Sequence, residues 1–171
     1  IDKDLRCWGK NSYGRLGLGT TTSPIPTSSP LFIAIKIDSD TTKKAKYVSA
    51  GGFHICALLD DDISAKCVGN NEYGQLGQGD NIQRGDSPSN TTDKFLPIIL
   101  GTGSLKINSI TAGSGYTCVV LVDFTVKCFG AGKDGRLGSG STSNIGTSPS
   151  QMGNNLFFID IFATTNAPTN A

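Results

Sequence analysis

One eleven-residue phrase recurs three times in this chain, and that recurrence constrains the fold more than any other feature. The copies run Cys7–Gly17, Cys67–Gly77 and Cys128–Gly138, stepping by 60 and then 61 residues. A shorter phrase occurs twice, as Ser49–Cys56 and Thr111–Cys118. Units repeated at such a period bury their apolar faces only against one another, so the chain must be a stack of like modules.

Between the phrases lie short runs rich in β-branched and aromatic residues. One set covers 46–50, 55–59, 63–68 and 95–100; the next covers 107–112, 117–122, 125–129 and 156–161. Each is bounded by Gly, Asn, Asp or Ser, as strands are. None carries an apolar period of 3.6, so helix should be scarce. Four strands per unit predict an all-β fold of β-propeller blades, each a four-stranded antiparallel sheet, about two and a half blades in all. The blades divide as a partial first one over 1–44, a second over 45–106, and a third over 107–171 with a C-terminal strand and tail. The chain opens and closes part-way through a blade, so further chain or another copy is expected to complete it.

The recurring glycines are Gly14, Gly17, Gly51, Gly69, Gly74, Gly77, Gly113, Gly130, Gly135 and Gly138. They are expected to form turns and close backbone contacts between blades. Trp8, Val68 and Phe129 share one position in the phrase, and Tyr13 and Tyr73 share another; recurrence predicts inter-blade packing for both sets.

These phrases resemble the regulator of chromosome condensation repeats. The marks of that family are an Ala-Gly-x-x-His-[Ser/Thr]-x-x-Leu strand and a Trp-Gly-x-Asn-x-x-Gly-Gln-Leu-Gly turn. The middle copy keeps Gly51, His54, Leu58, Gly69, Asn71, Gly74, Leu76 and Gly77, whereas the third has Tyr116 at the histidine position. The resemblance implies a propeller that works through loops at its faces. Its members include nuclear exchange factors for a small GTPase, regulatory domains of large ligases and secreted binding proteins. A fold shared so widely does not choose among them.

Five cysteines follow the repeat. Cys56 and Cys67 are symmetric about Asp61-Asp62, so a two-residue turn there would set them opposite each other on paired strands, within disulfide reach. Cys118 and Cys128 flank a hairpin one residue shorter, which suits a three-residue loop with a bulge. Cys7 matches Cys67 and Cys128, and its partner is expected outside this segment. The competing reading is five buried free thiols. Persistent bridges would place the protein in an oxidising, extracellular or cell-surface setting. Asn90-Thr91-Thr92 is a glycosylation sequon in a polar loop and adds a candidate N-glycan.

The sequence offers no catalytic constellation. His54 is the single histidine and there is no Cys-x-x-Cys, so a zinc site is not expected. Asp60, Asp61 and Asp62 read as a solvated hairpin tip. Arg84-Gly85-Asp86 spells an adhesion tripeptide in a loop expected to be exposed. Fifteen basic residues against 14 acidic leave a net charge of +1. That balance argues against nucleic acid, and the Lys43, Lys44, Lys46 cluster, with Asp38 and Asp40 before it, reads as a solvated strand edge. No run of about 20 apolar residues provides a membrane helix.

The expected function is a non-enzymatic, cofactor-free, extracellular structural or protein-binding repeat module. Its partners would be other proteins or further copies of itself, joined as a filament through open blade edges. Loops 20–30, 80–93 and 139–155 are expected to carry specificity. The alternatives are a guanine nucleotide exchange factor or chromatin adaptor of the same fold, and a secreted loop-based enzyme inhibitor.

Overall fold

The computed structural model describes residues 5–23, 33–35, 42–91 and 95–159. Eight strands form three sheets. In chain order they are β1 (Leu5–Cys7), β2 (Ile33–Ile35), β3 (Ala45–Ala50), β4 (His54–Leu59), β5 (Ala65–Gly69), β6 (Ile107–Ala112), β7 (Tyr116–Leu121) and β8 (Val126–Gly130). The sheets are β1-β2, β3-β4-β5 and β6-β7-β8, all antiparallel. The helical segments described are 3-10 turns of three residues. No helix among the described residues is long and apolar enough to cross a membrane.

The expected fourth strand of the second and third blades shrinks to a single bridge. Lys66 pairs with Pro97 and Val126 with Ile159. Pro97 has no N–H to donate, so the ladder stops where it begins. The expected 156–161 strand follows a 3-10 turn over Gly153–Asn155, and its last two positions lie outside the described residues. In the first blade β2 holds a three-residue register on β1, from Leu5 opposite Ile35 to Cys7 opposite Ile33.

The third strands also start later than the apolar runs suggest. Asp61 accepts hydrogen bonds from the backbone N–H of Ile63 and Ser64, and Asp123 from that of Thr125. Those side chains hold the residues in a turn, so pairing starts at Ala65 and Val126. The first hairpin is therefore not the expected two-residue turn: Leu59 N–H meets the Ser64 carbonyl, leaving a four-residue loop. In the second, Leu121 N–H meets the Thr125 carbonyl around a three-residue loop whose Phe124 has φ 66°. Pairing continues from each closing pair so that Cys56 opposes Cys67 and Cys118 opposes Cys128.

Alternation along β4 explains the stacking. Ile55, Ala57 and Leu59 join Leu16, Val68 and Phe95 in one cluster, toward the first blade. Cys56 and Leu58 join Leu76, Ile110, Val119 and Phe129 in the other, toward the third. Every residue of β4 is buried, as a strand covered on both faces must be. In β7 burial alternates instead, with Thr117, Val119 and Leu121 facing the second blade.

The glycines of the phrases serve two purposes. Gly74 has φ 81°, and a Cβ there would lie 2.3 Å from the Gly146 carbonyl carbon of the next blade. Only glycine permits both that backbone region and that approach. Gly51 and Gly113 are not positive-φ turn glycines: a Cβ on Gly51 would meet the Gly113 carbonyl oxygen at 2.3 Å, and one on Gly113 the Tyr116 ring at the same distance. Contact with the next blade demands Gly51, and the Tyr116 ring of its own blade demands Gly113.

The shared aromatic position divides. Val68 and Phe129 are fully buried, whereas Trp8 is 66% exposed. Val68 packs with Leu16 of the preceding blade and Phe129 with Leu76, and no blade precedes Trp8 among the described residues. Tyr13 and Tyr73 do meet the next blade, at Phe53 and Gly115, yet each stays about two-fifths exposed over its seam.

Candidate surface at the blade seams

The repeat turn is built around one asparagine. The Asn11 side-chain oxygen accepts the Leu16 N–H, and its amide donates to the carbonyls of Thr20 and Thr22. Asn71 repeats this with Leu76 and Asp80. The third copy has Gly132, where a Cβ would overlap the Ser143 carbonyl, and Asn144 caps the turn from the other side.

That frame points three aromatic rings outward at the first seam and the turn beyond it. Tyr13, in the left-handed region at φ 64°, meets the Phe53 ring edge-on at 5.5 Å. Arg15 lies over the same Phe53 ring at 5.2 Å, fixed by hydrogen bonds to the Ser12 and Gly52 carbonyls. Tyr73 occupies the equivalent turn and lies against Gly115, the Phe53 position of the third blade. Tyr13, Phe53 and Tyr73 are each about two-fifths exposed. A cleft of about 490 Å³ opens beside Tyr13, Arg15 and Phe53, and a second of about 310 Å³ shares Tyr13 and Gln83 with it.

His54 lies beneath this surface, fully buried. Its Nε2 is 2.8 Å from the Thr117 hydroxyl, which donates to the Gln75 carbonyl at 2.8 Å. The hydroxyl proton is thus committed to Gln75, so Nε2 carries the imidazole proton and Nδ1 is a bare acceptor without a donor among the described residues. Burial pushes the imidazole pKa down to about 4, which leaves the ring neutral. It joins two blades, and the hydroxyl it touches is itself committed to the Gln75 carbonyl.

The predicted loops are wired inward. Arg84 is buried and makes a two-pronged ion pair with Asp80, at 2.9 and 2.7 Å. Burial pulls the Asp80 pKa upward, but Arg84 and the Ile82 N–H outweigh it and hold the carboxyl below its ordinary range. With Arg84 and Gly85 buried, the Arg-Gly-Asp tripeptide is not displayed as expected. Asn90 likewise has a structural job. Its oxygen accepts from the N–H of Gly85 and Ser87, and its amide donates to the Gln83 carbonyl and the Asp86 carboxylate. A glycan on that nitrogen would cost one of its two donated bonds and leave the oxygen's bonds to Gly85 and Ser87 in place; Thr92 lies outside the described residues. Gln151 repeats the clamp on Gly146 and Thr147. The repeated Ser-Pro-Ser-[Asn/Gln] strings, 87–90 and 148–151, were the sequence signal for it. Much of the 20–30 loop, the end of the 80–93 loop, and Asp38 and Asp40 lie outside the described residues.

The lysine cluster and the aspartate triplet turn out to be partners. Lys43 reaches Asp61 at 3.0 Å, Lys46 reaches Asp62 at 2.6 Å, and Asp60 accepts the Lys44 N–H. Burial raises the Asp61 pKa, but hydrogen bonds from Ser64, Ile63 and Lys43 prevail and hold it well below the carboxylate range. Among the described residues no group of His, Cys, Asp or Glu could hold a metal.

Bridges join Cys56 to Cys67 and Cys118 to Cys128, each with a Cα separation of 4.1 Å. Both fall at pairs without backbone hydrogen bonds, where opposed Cβ atoms come closest. Cys7 is unbridged and half-buried, and desolvation raises its pKa.

Comparison with known proteins agrees with this geometry. The Regulator of chromosome condensation (RCC1) repeat matches residues 5–58 and 67–120. A second form of the same repeat matches 45–75. The human probable E3 ubiquitin-protein ligase HERC4 is 35% identical over 148 residues, covering 82% of this chain and 12% of that protein. The Arabidopsis thaliana ultraviolet-B receptor UVR8 is 31% identical over 143 residues, covering 82% and 28%. The chain thus spans only a small part of these relatives. Human WBSCR16 shares the fold with a TM-score of 0.63 at 18% identity, over 91% of this chain and 34% of its own. Yeast Prp20, solved bound to Kap60, scores 0.60 at 16% identity, over 92% and 33%. Repeat, register and relatives together place this chain in the Regulator of chromosome condensation (RCC1) repeat family.

Proposed function

We propose that this chain is part of an exported, non-enzymatic protein-binding module, and that its contact surface is the aromatic ridge at the blade seams. The observation that carries this reading is the exposure of Tyr13, Phe53 and Tyr73 on a backbone fixed by the asparagine turns. Exposed Tyr and Arg on a rigid frame are the side chains that dominate protein interfaces. Export rests on the repeated bridges.

The test is site-specific photo-crosslinking in the native source, with a photoreactive phenylalanine placed at position 73 or, as a control, at 106. Protein adducts at 73 and none at 106 support the ridge. Equal labelling at both positions would remove it.

A second reading is self-assembly. Gly14 and Gly74 are met by the next blade, as are Gly19 and Gly79, whereas Gly135 and Gly140 face open space and Trp8 is exposed. Seam surfaces of both kinds are therefore uncovered among the described residues, and another blade of the same kind would fit either. Sedimentation of the full-length protein as a closed monomer at all concentrations would exclude assembly between copies.

A further inference from the structure

We infer that the cleft beside Tyr13 and Phe53 is a recognition site for an acidic peptide segment, a reading that rests on the protein-binding function proposed above. The cleft is lined by Lys10, Tyr13, Arg15, Phe53 and Gln83, with the Ser12 and Thr21 hydroxyls. Among the described residues two cations and no carboxylate line it, although the chain as a whole is nearly neutral. An anionic ligand would complement that charge.

Arg15 is preorganised for this. Its Nε and Nη1 are committed to the Ser12 and Gly52 carbonyls, and Phe53 supports the guanidinium plane. Holding the plane in place leaves little side-chain entropy to lose when a carboxylate arrives. Lys10 is exposed at the mouth of the cleft. Tyr13 and Phe53 supply the apolar contact that a bare anion would not use. Tyr13 holds a left-handed backbone that a bulky residue adopts at a cost, and such strain gathers at binding surfaces.

The neighbouring cleft decides between a peptide and a polyanion. It shares Tyr13 and Gln83 with the first, and its one charged lining residue is Glu72. A nucleic acid strand would carry phosphates on past Tyr13 toward that carboxylate, where they are repelled. A short peptide places its acidic residue by Lys10 and Arg15 and a neutral or basic one by Glu72. Gln83 stands between the two, with a carboxamide oxygen that has no donor among the described residues. Its Nε2 donates to Asp86 at 3.2 Å, so turning the oxygen toward a peptide N–H would exchange that bond for a new one.

The test pans a random linear peptide library on phage against the full-length protein, then measures enriched peptides by fluorescence anisotropy. The expected winners carry Asp or Glu beside an apolar residue. Their affinity should fall at least tenfold with Lys10→Glu, fall similarly when the acid becomes its amide, and weaken steeply with added salt. Lys10 is exposed and makes no hydrogen bond among the described residues, so this variant should keep the fold, which a thermal melt verifies. A single-stranded oligonucleotide is the competing probe. Winners without acidic residues, winners indifferent to Lys10→Glu, no winners at all, or tighter binding of the oligonucleotide would each overturn the inference. Adducts at position 73 with no acidic preference would sink this site and leave the protein-binding reading intact.

Discussion

The His54 imidazole and the Thr117 hydroxyl meet at 2.8 Å across the seam between the second and third blades. The histidine of the repeat is thus a joint between modules. It is buried neutral, with a folded pKa of about 4 against an ordinary 6.5.

That difference sets the sign of a pH effect. The unfolded chain takes up the proton first as pH falls, so stability is full above 6.5 and drops as pH falls from there toward 4. The total is about 3 kcal/mol, at about 1.4 kcal/mol for each unit of separation. Urea titrations between pH 7 and 4.5, where carboxylates stay largely ionised, should show this slope. His54→Asn should flatten it. An unchanged slope in the variant would contradict the assignment.

Gly74 and Gly135 occupy the same place in successive repeats but differ in surroundings. Gly74→Ala must both strain its backbone and push Gly146 away, whereas Gly135 has φ 71° with nothing within 4 Å. Gly135→Ala should cost about 1 kcal/mol, the conformational part alone. Gly74→Ala should cost several times as much, or prevent folding. Equal losses in chemical denaturation would mean that the seam is looser than described.

The Asn90 clamp predicts a local effect. Asn90→Ala removes hydrogen bonds that close the 83–90 loop, for a loss of about 1–3 kcal/mol. Hydrogen exchange should quicken at the Gly85 and Ser87 amides and stay unchanged at β7. If glycosidase treatment lowers the mass of the native protein at Asn90, one of the two bonds donated by its amide is absent in the mature chain.

The architecture was legible in the sequence because it is written in spacing. Stepping of the Cys-x-Gly phrase gives the blades, and symmetry about Asp61-Asp62 gives the cysteine pairing register. The fourth strands were overcalled because Pro97 removes a ladder donor from an otherwise strand-like run. Recurrence marked seam positions for all four residues, but it did not show that Val68 and Phe129 are buried there while Tyr13 and Tyr73 remain partly exposed. Pattern cannot tell a ring aimed into a seam from one standing over it. Arg84 and Asn90 were missed for a related reason. Polar loops look solvated in sequence, yet these two side chains are spent on their own loop.

Each bridged hairpin closes a loop of about a dozen residues, which stabilises by roughly 2–3 kcal/mol if the bridge forms. Exported, bridge-pinned blades are the claim on which the account turns. The direct measurement is peptide mass mapping of the protein from its native source, alkylated without reduction. The account predicts linked peptides joining Cys56 to Cys67 and Cys118 to Cys128. Alkylated thiols at all four positions would contradict it.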